Sequence, residues 1–167
     1  LGFLFYQVYK KNGRMSLEGV VCYRDSIPLR QYFIWVPVLF VLAGLIFTLM
    51  KPVDAFVQQN FFAWVPVMES GLTTGFSKSA LIVTYLMVAI FGVVIGPMVE
   101  EFYFRGYLLP RMNYAGKWAP LVHTFFFALY HVFTPWMFVT RTLSMLPLVY
   151  GVMKRNLSVG IFAHMLL

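Results

Sequence analysis

GPMVEEFYFRGYLLP, residues 96–110, sets Glu100, Glu101 and Arg105 inside an otherwise apolar run. The stretch before it, Ser79 to Val99, carries no charge at all. A charged side chain at the centre of a bilayer costs about 3 kcal/mol, so it needs a partner or a water-filled cavity. Composition says that a bilayer is the right reference. Of 167 residues, 60% are hydrophobic and only 11% are charged, where a soluble domain carries about a quarter. The formal net charge of +7 is spread between apolar segments. Membrane proteins distribute lysine and arginine in their loops in this way, and no basic stripe for nucleic acid forms. The single Cys22 excludes a disulfide framework within the chain.

A spanning helix needs about 20 mostly apolar residues. Outward from the acids, Ser79–Val99 meets this length, and its helix is predicted to continue past Glu100 and Glu101 to Leu109. Tyr32–Met50 is a first full span, ended by Lys51 and Pro52. Asp54–Lys78 reads as an interfacial or re-entrant segment. After a loop holding Arg111, Asn113, Gly116 and Lys117, Trp118 to about Val139 is a further span carrying His123 and His131. Thr142–Met153 is too short to cross alone: either its helix begins near Pro135 with Arg141 tucked in or snorkelling, or it is a half-span. Leu157–Leu167 reads as an unfinished span and LGFLFYQVY as the tail of a longer helix, so both ends read as cut. The predicted fold is all-α, a polytopic helical membrane protein with an intramembrane cavity. It divides into residues 1–78 and a core over residues 79–167.

Lysine and arginine set the orientation. Lys10, Lys11, Arg14, Arg24 and Arg30, then Arg111 and Lys117, then Lys154 and Arg155 occupy alternate loops, which are therefore predicted to be cytoplasmic.

Six acidic residues exist; Glu18, Asp25, Asp54 and Glu69 fall in predicted loops, leaving Glu100 and Glu101 at membrane depth. Glu101 and Arg105 are spaced i, i+4 and can meet on one helix face as a structural clamp. Successive helix residues diverge, so Glu100 projects elsewhere, with Tyr103, Phe104 and Tyr107. His123, His131 and Phe127 share roughly one face of their helix. His164 follows Gly160 by one turn, which leaves room for a neighbouring helix. At ~1.5 Å per residue from the nearest basic loop, Glu100, His131 and His164 lie about 16, 21 and 14 Å deep. His123, nearer the loop, reads as a core histidine. Glu100, His131 and His164 can either activate water and stabilise an oxyanion, or hold a zinc ion whose bound water attacks. No HExxH, CxxC or GxSxG pattern is present.

EEFYFRG resembles the EExxxR motif of the CPBP family, intramembrane proteases related to type II CAAX prenyl endopeptidases and to bacteriocin-processing or immunity proteins. FALYH, residues 127–131, resembles the family's FxxxH motif. LVYGVMKRNLSVGIFAH, residues 148–164, resembles its third region, a basic turn leading into a helix with HxxxN. The resemblance covers Ser79–Leu167 and implies a helical membrane fold with a conical cavity. It implies that Glu100 and His131 activate water, that His164 stabilises the oxyanion with an asparagine falling one position beyond Leu167, and that Glu101 and Arg105 are organisational. No cofactor is then required, zinc being the alternative. The substrate would be a protein or peptide, lipid-modified in the eukaryotic relatives, met in a bacterial cytoplasmic membrane with the site open to the cytoplasm. The alternatives are a non-enzymatic immunity or scaffold protein of the same fold, and a proton or ion pathway. The latter lacks the paired broken helices of many transporters.

Overall fold

A computed structural model of the chain describes residues 2–66 and 76–167. Helix is the only regular structure among them, in six helices: α1 Gly2–Asn12, α2 Leu29–Phe61, α3 Lys78–Arg111, α4 Ala119–Tyr130, α5 Phe138–Lys154 and α6 Leu157–Met165. Three segments are long and apolar enough to cross a membrane: α2 (33 residues), α3 (34 residues) and Pro135–Lys154 (20 residues), which is α5 with the single 3₁₀ turn before it. The outer face of α3 leaves Ile82, Val83, Leu86, Ile90 and Phe91 exposed. That apolar surface suits lipid, as expected of an all-α polytopic membrane protein.

Two expected boundaries move. Lys51 and Pro52 do not end α2, which runs on to Phe61. At ~1.5 Å per residue it is about 50 Å long, well beyond a ~30 Å hydrocarbon core. Asp54, expected in a loop, is buried on α2 and accepts a hydrogen bond from the Thr140 hydroxyl on α5. Helix packing and that buried bond outweigh the local stop signal. The rest of the expected interfacial segment includes residues 67–75, and Glu69 with them, which lie outside the described residues.

The expected span from Trp118 to Val139 is instead two helices. α4 stops after 12 residues, about 18 Å at the usual rise. The backbone leaves helical geometry at His131, at φ −83°, ψ 57°. Pro135 keeps the helix from resuming at once: the residue before a proline is driven out of helical geometry, and Thr134 sits at φ −138°, ψ 65°. The next helix then begins near Pro135, the first of the two alternatives for Thr142–Met153, with Arg141 in its first turns.

α3 contains two π-helical stretches, Val88–Ile95 and Glu101–Leu108, each just ahead of a proline. A proline lacks an N–H and its ring clashes with the carbonyl four residues back. Widening the turn ahead of it absorbs that clash, and such bulges recur at functional sites. Gly96 N–H reaches back five residues to Phe91 O ahead of Pro97, and Leu109 N–H to Phe104 O ahead of Pro110. The carbonyl of Gly106, four before Pro110, accepts instead from Cys22 N–H at 2.8 Å.

That bond is one of several tying the basic loops together. Arg111 Nη1 donates to Val20 O at 3.2 Å, Leu157 N–H to Tyr23 O at 2.6 Å, and Asn156 Nδ2 to Asp25 O. The segment before α2, the loop after α3 and the turn between α5 and α6 thus meet at one end of the bundle. The core runs inward from there, with Val8, Val21 and Leu39 packed among Phe104, Phe127 and Leu148.

Candidate active site

The second π-helical stretch begins at Glu101 and carries Arg105, with Glu100 the last α-helical residue before it. Glu101 and Arg105 are fully buried, with Arg105 Nη1 3.1 Å from Glu101 Oε1, and the guanidinium carbon stands 3.8 Å above the ring of Phe127. The predicted clamp is therefore a contact, and an aromatic face adds to it. Glu101 has a second partner that spacing alone did not indicate: Oε1 lies 2.9 Å from His164 Nδ1 on α6. Gly160, one turn before His164, makes this approach possible. A Cβ there would meet Val152 Cγ2 at 2.3 Å and Glu101 Oε2 at 2.9 Å.

Glu100 stands on a different face, as helix geometry requires. Its Oε2 is 3.7 Å from His164 Nε2, with the two side chains 21% and 12% exposed. His164 thus lies between the acids, Nδ1 toward Glu101 and Nε2 toward Glu100. A carboxylate on Nδ1–H fixes the tautomer and supports a positive charge on the ring.

His131 is placed by the end of α4. Its backbone N–H turns to Ala128 O at 3.2 Å, which leaves Phe127 O free, and the His131 ring takes that carbonyl through Nδ1 at 3.0 Å. A carbonyl only accepts, so Nδ1 carries the hydrogen and Nε2 keeps its lone pair. Phe127 packs edge-on against both histidines, with centroids 4.9 Å from His131 and 5.9 Å from His164. The motif phenylalanine is the common support of Arg105, His131 and His164.

Two cavities flank these groups. One of about 330 Å³ is lined by His131, His164, Arg141, Phe127 and Met145 among others. The other, about 550 Å³, is lined by Glu100 with Tyr103, Phe104, Leu108, Tyr130 and Phe3 of α1. Glu100 and His131 do not share a cavity lining; Glu100 lines one and His164 the other, and the two side chains approach to 3.7 Å between them. His123 is fully buried, its Nε2 donating to Phe104 O at 2.9 Å, as expected of a core histidine. Among the described residues no group of three or more His, Cys, Asp and Glu is placed to hold a metal ion.

A family model described as Type II CAAX prenyl endopeptidase Rce1-like matches residues 82–167, just over half of the chain. The chain belongs to the Rce1-like family. Glu100, Glu101, Arg105, His131 and His164 all fall inside the matched range. Rce1-like membership supports a protease of CAAX type acting on protein substrates, and the three apolar helices make the chain an integral membrane protein. No curated protein and no solved structure matches the chain.

Beyond the motifs of the Rce1-like family, the structure adds Arg141 and Tyr130 to the cavity walls and brings Phe3 from α1. Arg141 was visible in the sequence as a charge inside an apolar run. Phe3 had no signal, since its contact with α3 spans about a hundred residues.

Proposed function

We propose that the chain is an intramembrane endopeptidase in which Glu100 and His131 activate water and His164 stabilises the oxyanion. The observation that carries this is the approach of Glu100 to His164 Nε2, 3.7 Å, beside a cavity shared by His164 and His131. The separation is too long for a direct hydrogen bond and short enough for the two groups to address two oxygens on one reacting carbon.

Water attacks the scissile carbonyl carbon while its proton passes to Glu100, with His131 Nε2 as the second acceptor. The carbonyl oxygen becomes an oxyanion and meets a proton on His164 Nε2, where the positive charge is held by Glu101. Collapse breaks the C–N bond, and the proton taken from water goes to the leaving amine. General acid–base work of this kind contributes about 10²–10⁴-fold, and one well-placed oxyanion donor about 10²–10³-fold. Glu101 and Arg105 organise the site without touching substrate.

The substrate in this reading is a membrane-associated or lipid-modified protein. Tyr103, Phe104, Leu108 and Tyr130 offer an apolar wall beside Glu100 for it. The end at which the basic loops meet faces the cytoplasm. The test is cleavage of a farnesylated peptide with a CAAX terminus by the purified chain in liposomes, compared with Glu100→Ala and His131→Ala. Both variants should lose activity; undiminished cleavage in both overturns the reading. Retention of cellular function by Glu100→Gln would instead favour a non-enzymatic immunity or scaffold role.

A further inference from the structure

The geometry points to Arg141 as the residue that binds a carboxylate of the substrate, an inference that rests on the endopeptidase reading above. Arg141 stands near the start of α5, inside a segment long and apolar enough to span, and lines the cavity that holds His131 and His164. A cation at such depth costs about 3 kcal/mol unless it faces a cavity or a partner. Arg105, the other arginine at this level, has Glu101 and the Phe127 ring. Arg141 has only the more distant ring of Phe133, 5.9 Å from its guanidinium carbon, and among the described residues no carboxylate lies in ion-pair contact with it. The acids that reach it through space are Asp54, already engaged by Thr140, and Glu100 across the site.

Its guanidinium is nevertheless held in place. Nη1 donates to Thr134 O at 3.1 Å, and Nη2 to Thr134 Oγ1 at 2.6 Å and toward Met137 Sδ at 3.7 Å. These contacts reach back across the turn after α4 instead of out to the headgroups, so the side chain does not snorkel. They use at most three of the five N–H groups of an arginine, and the planar fork is the group best matched to a carboxylate. An oriented guanidinium beside the proposed oxyanion donor, in ion-pair contact with no carboxylate among the described residues, fits an anion a short way along the peptide from the scissile bond. That anion is either the free C-terminus or an aspartate or glutamate side chain.

The experiment uses one cleavable peptide in four forms: free acid, C-terminal amide, amide with a glutamate near the cleavage point, and amide with glutamine there. Wild type should cleave a carboxylate-bearing form about 10- to 100-fold better in kcat/KM than the neutral amides, the range of a charged hydrogen bond. Which form is preferred identifies the source of the carboxylate. Arg141→Gln should bring that form down to the level of the amides, and Arg141→Lys should restore part of the preference. A role confined to tying down residues 131–137 predicts an equal loss on all four peptides, and that result overturns the inference. So does equal cleavage of all four by wild type, which needs no variant to fold. Equilibrium binding of the same peptides to Glu100→Gln protein reads the preference without turnover. A chain that binds the acid form more tightly but cleaves nothing upholds Arg141 and overturns the peptidase reading.

Discussion

Replacing Gly160 by alanine tests how the site is assembled. The new Cβ would stand 2.3 Å from Val152 Cγ2 and 2.9 Å from Glu101 Oε2. Carbon atoms in contact prefer about 3.5–4.0 Å, so α6 must back away by roughly 1 Å or more. Overpacking of this kind costs about 1–3 kcal/mol, and alanine in a helix returns about 1 kcal/mol relative to glycine. The net loss of stability should therefore be small, between about 0 and 2 kcal/mol. Activity should suffer far more. His164 lies one turn beyond Gly160 on the same helix, and a misplacement of about 1 Å can cost around 100-fold in rate. Peptide cleavage in liposomes and thermal unfolding in detergent are the two assays. Adding Val152→Ala removes the closer clash and leaves the one with Glu101, so packing should recover while the rate stays low. Wild-type turnover in Gly160→Ala would refute the claim that α6 is held against Glu101 through this glycine.

Three further outcomes are expected. Arg105→Met strands Glu101 without its cation in a fully buried site, which should cost about 3–5 kcal/mol; thermal unfolding should show a smaller loss when Glu101→Gln is added. Thr140→Val removes the donor to buried Asp54 and should cost about 1–3 kcal/mol in the same assay, with the cleavage rate of the remaining folded protein unchanged. Incubation with a strong chelator should leave cleavage unaffected, with no stoichiometric metal found in the purified protein, whereas a zinc-dependent reaction would stop.

Much of the fold was legible because apolar length and charge spacing report directly on a bilayer. The continuation of α3 past the acids and the pairing of Glu101 with Arg105 both follow from helix periodicity, and both are present in the structure. Hydropathy does not report chain direction, however. A half-span, a turn and the start of another helix read as one apolar run from Trp118 to Val139, although Pro135 carried the warning. Lys51 and Pro52 looked like a stop for α2 because their local chemistry is that of a helix end, and the Asp54–Thr140 bond that overrides it links positions 86 residues apart. Within the candidate site, the faces of Glu100 and Glu101 were separable by geometry. The second role of Glu101, on His164, was not, because it depends on how closely α6 approaches. Pro97 and Pro110 each follow a widened stretch of α3, and the second is where Glu101 and Arg105 stand. Proline alone does not signal it, since Pro37, Pro52 and Pro147 sit inside helices that do not widen.

The account rests on Glu100 as the group that takes the proton from water. Glu100→Gln keeps the size and most hydrogen-bonding capacity of the side chain and removes its basicity. The most direct measurement is the turnover number of this variant against wild type, on one peptide in one liposome preparation, with unfolding temperatures matched. The account predicts a fall of at least about 100-fold with no change in unfolding; undiminished turnover would contradict it.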